Sequence, residues 1–104
     1  MSHIGICVSD WKRSLRFYHD VLGFRYVHEI TVKGEAADAL LRLKDVALRA
    51  TYLEREGVRI ELLCYDAPGC TGAAEPRPLN QLGLTHLSLR VDDLDAQIAE
   101  FAAA

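Results

Sequence analysis

Three side chains combine metal-ligating chemistry with repeated placement in this chain: His3, Glu61 and His86. Imidazole with carboxylate is a ligand set for Zn²⁺, Ni²⁺, Fe²⁺, Co²⁺ or Mn²⁺, and it suits Mg²⁺ and Ca²⁺ poorly. Singly, each has an ordinary explanation. A His at the start of a chain is usually solvated, and a Glu on the open face of a strand is usually hydrated or ion-paired. An internal repeat sets them apart. His3-Ile-Gly-Ile-Cys-Val-Ser-Asp10 aligns without a gap to His86-Leu-Ser-Leu-Arg-Val-Asp-Asp93. His, the apolar alternation, Val and a helix-capping Asp all recur, as expected of two copies of one unit. A strand does not need histidine at its start, so the matching His points to a shared task.

The elements that must carry these residues follow from periodicity. Residues 3–9 alternate as a strand, with Ile4, Ile6 and Val8 on one face and His3, Gly5 and Cys7 on the other. Asp10 caps a helix whose Trp11, Leu15, Tyr18 and Leu22 form one apolar stripe, and Gly23 suits its left-handed end. A strand is expected over 24–32, a short helix or a loop over 34–43, and strands over 46–53 and 58–65. The turn Glu54-Arg-Glu-Gly57 joins the last two, with Gly57 free to take positive φ. In the strand over 58–65, Val58, Ile60, Leu62 and Cys64 face a helix, while Arg59, Glu61, Leu63 and Tyr65 face away. The strand over 84–91 likewise sets His86, Ser88 and Arg90 opposite Leu87, Leu89 and Val91. Both His residues and the Glu therefore fall on faces without helices and can converge in one cavity. His19 and His28 read as surface residues, and Cys7 as a thiol that can face the cavity without a basic partner in sequence.

The fold class is α+β. Residues 1–65 form a βαβββ module. Residues 66–83, with Pro68, Pro76 and Pro78, form a linker. Residues 84–104 supply only a strand and a helix, with Leu94, Ile98 and Phe101 at helical spacing and Ala102 to Ala104 as its end. A complete second copy would require about forty further residues.

Composition narrows the function classes. The 104 residues are 50% hydrophobic and 26% charged, an ordinary globular balance. A formal net charge of −3 disfavours coating nucleic acid. No apolar run approaches the ~20 residues that span a bilayer, and residues 1–5 lack a signal-peptide layout. Three cysteines without framework spacing read as reduced thiols of a cytoplasmic protein. There is no phosphate-binding Gly-rich loop, G-x-S-x-G or C-x-x-C motif.

The opening segment through Asp10, then Ser14-Leu-Arg-Phe-Tyr18 and Asp20-Val-Leu-Gly-Phe24, resembles the start of the vicinal oxygen chelate superfamily. That superfamily includes glyoxalase I, methylmalonyl-CoA epimerase, extradiol dioxygenases, and fosfomycin and bleomycin resistance proteins. Arg59-Ile-Glu-Leu-Leu63 resembles the end of its first module, and Leu82-Gly-Leu-Thr-His-Leu-Ser-Leu-Arg-Val-Asp-Asp-Leu94 the start of its second. The resemblance implies a divalent metal held by His and Glu from both modules, and His3, Glu61 and His86 match the first three ligands. The fourth belongs to the last strand of the second module. The implied chemistry is bidentate chelation of a small molecule through neighbouring oxygens, with enolate stabilisation in a lyase or isomerase. Glu61 is then also the candidate catalytic base. The resemblance equally admits a drug-binding protein of the bleomycin-resistance type, without metal. Modules of this kind close by pairing, so a homodimer with exchanged or paired modules is expected.

Overall fold

A computed structural model describes residues 1–72 and 75–103. Ala73 and Ala74 of the expected linker, and Ala104 at the expected end of the last helix, lie outside the described residues. The chain divides into two compact units, Met1–Cys70 and a second beginning at Thr71.

The first unit is the expected βαβββ module. Strand β1 (Ile4–Cys7) leads into helix α1 (Trp11–Leu15) and a π-helical continuation, Arg16–Val21. Strand β2 (Arg25–Lys33) follows, then helix α2 (Glu35–Leu41) and strands β3 (Ala47–Arg55) and β4 (Val58–Ala67). The sheet order is β1-β4-β3-β2. β1 runs parallel to β4, and the other neighbours are antiparallel. The parallel pair needs a long crossover, which the rest of the module provides.

Local chemistry accounts for the boundaries. The Arg13 amide donates to Asp10 Oδ1 at 3.1 Å, so Asp10 caps α1 as expected. The wider turn that follows closes with the Leu22 amide donating to the Phe17 carbonyl at 3.0 Å. In the 34–43 segment the helical alternative is the one formed, ending at Arg42 in the left-handed region. The β3–β4 hairpin pairs Arg55 with Val58 around Glu56 and Gly57, whose φ values are 50° and 79°. Positive φ at both central residues matches the right-handed twist of the flanking strands.

Apolar alternation places the core between the sheet and α1. Phe24, Leu53, Ile60 and Leu62 are buried there, and Leu15, Tyr18 and Leu22 of the helical stripe pack on them. Thr51 is fully buried, and its hydroxyl oxygen accepts from the Trp11 indole N–H at 2.8 Å. The stripe read from the sequence is thus the packed face of the helix.

The second unit corrects one expectation. Residues 84–91 form no strand ladder; the element it contains among the described residues is helix α3 (Leu94–Ala103). Alternation sets which side chains share a face, but a strand exists through its hydrogen-bonded neighbour. β1 has β4 beside it, and the second unit holds no counterpart of β4 among the described residues. The α3 cap does form: the Ala96 amide donates to Asp93 Oδ1 at 3.0 Å, at the same offset as Asp10 and Arg13. β4 also runs two residues past its expected end, into the segment read as linker.

Leu53 is 0% exposed. Leu53→Ala leaves a cavity in the first unit's core and is expected to cost about 2–5 kcal/mol. Urea unfolding checks this, with the midpoint lowered and the denaturant slope unchanged.

Candidate functional site

β1 and β4 bring two of the three ligand candidates together. In the parallel register Gly5 is the partner of Glu61, which sets His3 one pleat away on the same face. His3 Nε2 lies 3.5 Å from Glu61 Oε1. Gly5 lies beside this pair. A Cβ at position 5 would meet Leu63 Cδ1 at 3.3 Å and Glu61 Oε1 at 3.7 Å. Both side chains are largely shielded, His3 at 33% exposure and Glu61 at 15%.

Two further residues complete this face, and neither was singled out from the sequence. Tyr52 is the β3 partner of Glu61, and His28 is the β2 partner of Tyr52. The Tyr52 hydroxyl hydrogen-bonds to Glu61. The His3 ring meets Tyr52 edge-on with centroids 5.2 Å apart, and the His28 ring stacks on it at 4.6 Å. His28 remains exposed, as expected, yet it belongs to this row. The Tyr52 position follows from the two-residue hairpin: counting outward from Glu56-Gly57 by equal steps sets Tyr52 opposite Glu61. His28 was not accessible to such counting. A register shift between Tyr26 and His28 turns it to the open face. Without that bulge His28 would oppose Thr51, on the helix side.

Neighbouring rows define the surroundings. On one side Arg59 donates to Glu54 Oε2 at 3.2 Å, and Arg25 Nη2 lies 3.6 Å from the same oxygen. Glu54 thus engages both guanidinium groups. On the other side lies an apolar row, Leu63, Ala50 and Ile30. Beside His3 is a hollow of ≈ 120 Å³ lined by Ser2, Ile4 and Arg59 among others. A larger hollow of ≈ 360 Å³, lined by Val8 to Tyr18, shares none of these residues.

The donor pair fits a shared cation. Two ligands on one tetrahedral centre, with bonds of about 2.0–2.2 Å, stand roughly 3.3–3.6 Å apart, which is the His3–Glu61 separation. Within the first unit, and among the described residues, no third His, Cys, Asp or Glu joins them to make a cluster of three. His86 belongs to the second unit, where Thr85 Oγ1 lies 2.9 Å from its Nδ1. His19 pairs with Asp20 at 2.7 Å, on the exposed surface. Burial first, and then the neighbouring Cys70 and Cys64, push the Cys7 thiol above its ordinary pKa, which favours the protonated thiol at neutral pH.

Comparison with known proteins places this arrangement. Residues 1–104 match the model of the Glyoxalase/Bleomycin resistance protein/Dioxygenase superfamily. The chain belongs to that superfamily. It is 36% identical over 97 residues to YaeR of Escherichia coli (strain K12), covering 93% of this chain and 64% of that protein. It is 33% identical over 98 residues to YwkD of Bacillus subtilis (strain 168), covering 94% of this chain and 66% of that one. The chain therefore spans just under two thirds of either relative. A glyoxalase family protein from Bacillus cereus shares the fold, with a TM-score of 0.87 at 21% identity over 99% of this chain and 70% of that one. The βαβββ module described above is accordingly the glyoxalase-superfamily module, and the sheet face turned away from α1 carries His3, Glu61, Tyr52 and His28.

Tyr52 reports on this cluster. Its hydrogen bond to Glu61 raises its pKa above the usual value, helped by burial and by the Glu61 charge and opposed by Arg59. The folded state therefore holds the phenol proton more tightly than the unfolded chain. That contribution is in full effect below about pH 10 and is lost as pH rises through the raised pKa. Spectrophotometric titration of tyrosinate is expected to show a late-titrating phenol in the wild type. Glu61→Ala should bring it back toward the ordinary midpoint.

Proposed function

We propose that this chain is a metal-dependent lyase or isomerase of the glyoxalase kind, acting on a small molecule that presents two neighbouring oxygens. The observation that carries the reading is the 3.5 Å separation of His3 Nε2 and Glu61 Oε1 across the β1–β4 strand pair. His3, Glu61 and, from the second unit, His86 are the proposed ligands of a Zn, Ni, Fe, Co or Mn ion. When bound, such an ion supplies Lewis acidity toward the enolate charge that develops when a carbon acid loses its proton. The protein's own part is orientation and proton transfer. Tyr52 fixes the Glu61 carboxylate through its hydroxyl, and the His3 edge contact holds the Tyr52 ring in turn. Glu61 is the proposed base that accepts the substrate proton, being the carboxylate central to the row. The apolar row of Leu63, Ala50 and Ile30 suits the carbon frame of such a substrate, and Arg59 and Arg25 are occupied by Glu54. A cytoplasmic homodimer completes the proposal, because β1 and β2 are sheet edges and the run over 84–91 is without a strand partner.

A second reading, a small-molecule binder of the bleomycin-resistance type, draws on the exposed His28–Tyr52 stack as an aromatic platform. Elemental analysis separates the two. The purified wild type is expected to carry a transition-metal ion, and Glu61→Ala to lose most of it. Equal metal in both proteins would refute the ligand assignment, and a metal-free wild type would favour the binder. Sedimentation at micromolar concentration tests the assembly, with a dimer expected and a stable monomer against it.

A further inference from the structure

The larger hollow, ≈ 360 Å³, lies along the first turns of α1 and shares no residue with the His3–Glu61 row. Its volume falls among those of small-molecule sites, about 300–1,000 Å³. Two opposite charges line it without engaging each other. Asp10 spends one oxygen, Oδ1, on the Arg13 amide. Neither the Asp10 carboxylate nor the Arg13 guanidinium takes part in an ion pair among the described residues. On the sheet the pattern differs, because Arg25, Arg49 and Arg59 each engage a glutamate.

Beside the charges are two rings at the next helical steps, Phe17 and Tyr18. They meet edge-on with centroids 5.2 Å apart, and Tyr18 packs in turn on Phe24 at 5.8 Å. Both rings come from the π-helical continuation Arg16–Val21. Such wide turns are rare and are found frequently at functional sites. Burial raises the Tyr18 phenol above its ordinary pKa, so it stays a neutral hydroxyl.

We propose that this hollow is a binding site for a free α-amino acid with an apolar side chain. The Arg13 guanidinium receives the carboxylate in its fork of donors. The Asp10 carboxylate accepts from the ammonium group through the oxygen not used in capping. The side chain lies against Val8 and the two rings, where burial of apolar surface supplies the driving force. The Ser9 and Ser14 hydroxyls, able to donate or accept, suit either charged group. A zwitterion meets both charges of the hollow, whereas an anion would sit beside Asp10 and a cation beside Arg13. Residues three apart at a helix face stand about 5–6 Å apart at Cβ, which suits two charges held on one carbon.

The test uses the full chain with L-phenylalanine as probe, followed by ¹H–¹⁵N amide shifts. L-phenylalanine is expected to bind at millimolar concentration, with saturable shifts over residues 8–18 and none at Tyr52 or Glu61. Hydrocinnamate, which lacks the ammonium, and phenylalaninamide, which lacks the carboxylate, should each bind about tenfold more weakly. Glycine, which lacks the apolar side chain, should also bind more weakly. Arg13→Gln and Asp10→Asn should each lower the affinity for L-phenylalanine by about tenfold. Asparagine still caps the helix, so a loss in Asp10→Asn is not a loss of fold. Absence of saturable shifts with L-phenylalanine overturns the proposal. So does equal binding of either single-charge analogue, or wild-type affinity in either variant. Saturable shifts centred on Tyr52 and Glu61 overturn it as well, by placing the amino acid on the sheet face.

Discussion

β1 is a four-residue edge strand whose one ladder partner among the described residues, β4, arrives at the far end of the module. The parallel pairing of these two strands makes residues remote in sequence into neighbours, and the whole open-face cluster depends on it. Gly5 beside Glu61 is the critical step in the register. A Cβ at position 5 would press on the end of Leu63 at 3.3 Å and stand in ordinary contact with the Glu61 carboxylate at 3.7 Å. The register in turn depends on the other face. Ile4 and Ile6 point toward the helix side, where Ile60 and Leu62 are buried. A slip of one residue would turn Ile4 and Ile6 toward solvent and His3 toward the core. The hydrophobic core therefore holds the polar cluster in place without touching it.

The polar face itself is organised by which group each charge engages. Glu54 takes Arg59 and Arg25, pairs with solvent access that contribute little to stability. Their effect is on Glu61, whose carboxylate is left to His3 and the Tyr52 hydroxyl rather than to a guanidinium. An Arg bound in a fork to Glu61 would occupy both oxygens and remove it as a ligand or base. The two guanidinium groups thus engage Glu54 in the row beside Glu61.

Much of this was legible in the sequence because the module obeys simple periodicities. The Trp11–Leu22 stripe, the Asp10 cap, the Glu54–Gly57 turn and the alternating faces of β1 and β4 all arise from local preferences that agree with the tertiary structure. His3 and Glu61 came from the same alternation, joined to the repeat. Tyr52 was missed because its role is set by cross-strand pairing, which needs the hairpin register and not the strand's own pattern. His28 required a bulge that no residue type announces. The run over 84–91 shows the opposite error. Its alternation matches that of β1, but alternation describes a strand's faces and says nothing about whether a neighbour is present to hydrogen-bond with.

That last point bears on how His86 differs from His3. Both have a hydroxyl on Nδ1, and both precede a capped helix by the same spacing. His3 has in addition a ladder one residue away, and so a backbone held by hydrogen bonds to β4. The backbone of residues 84–91 has no such ladder. Fixing one residue's backbone costs on the order of 1–2 kcal/mol, which a ladder offsets before any ligand arrives. A side chain carried by an unladdered run lacks that offset. The two histidines therefore stand on unequal backbones: that of His3 adjoins the β1–β4 ladder, and that of His86 has no such ladder.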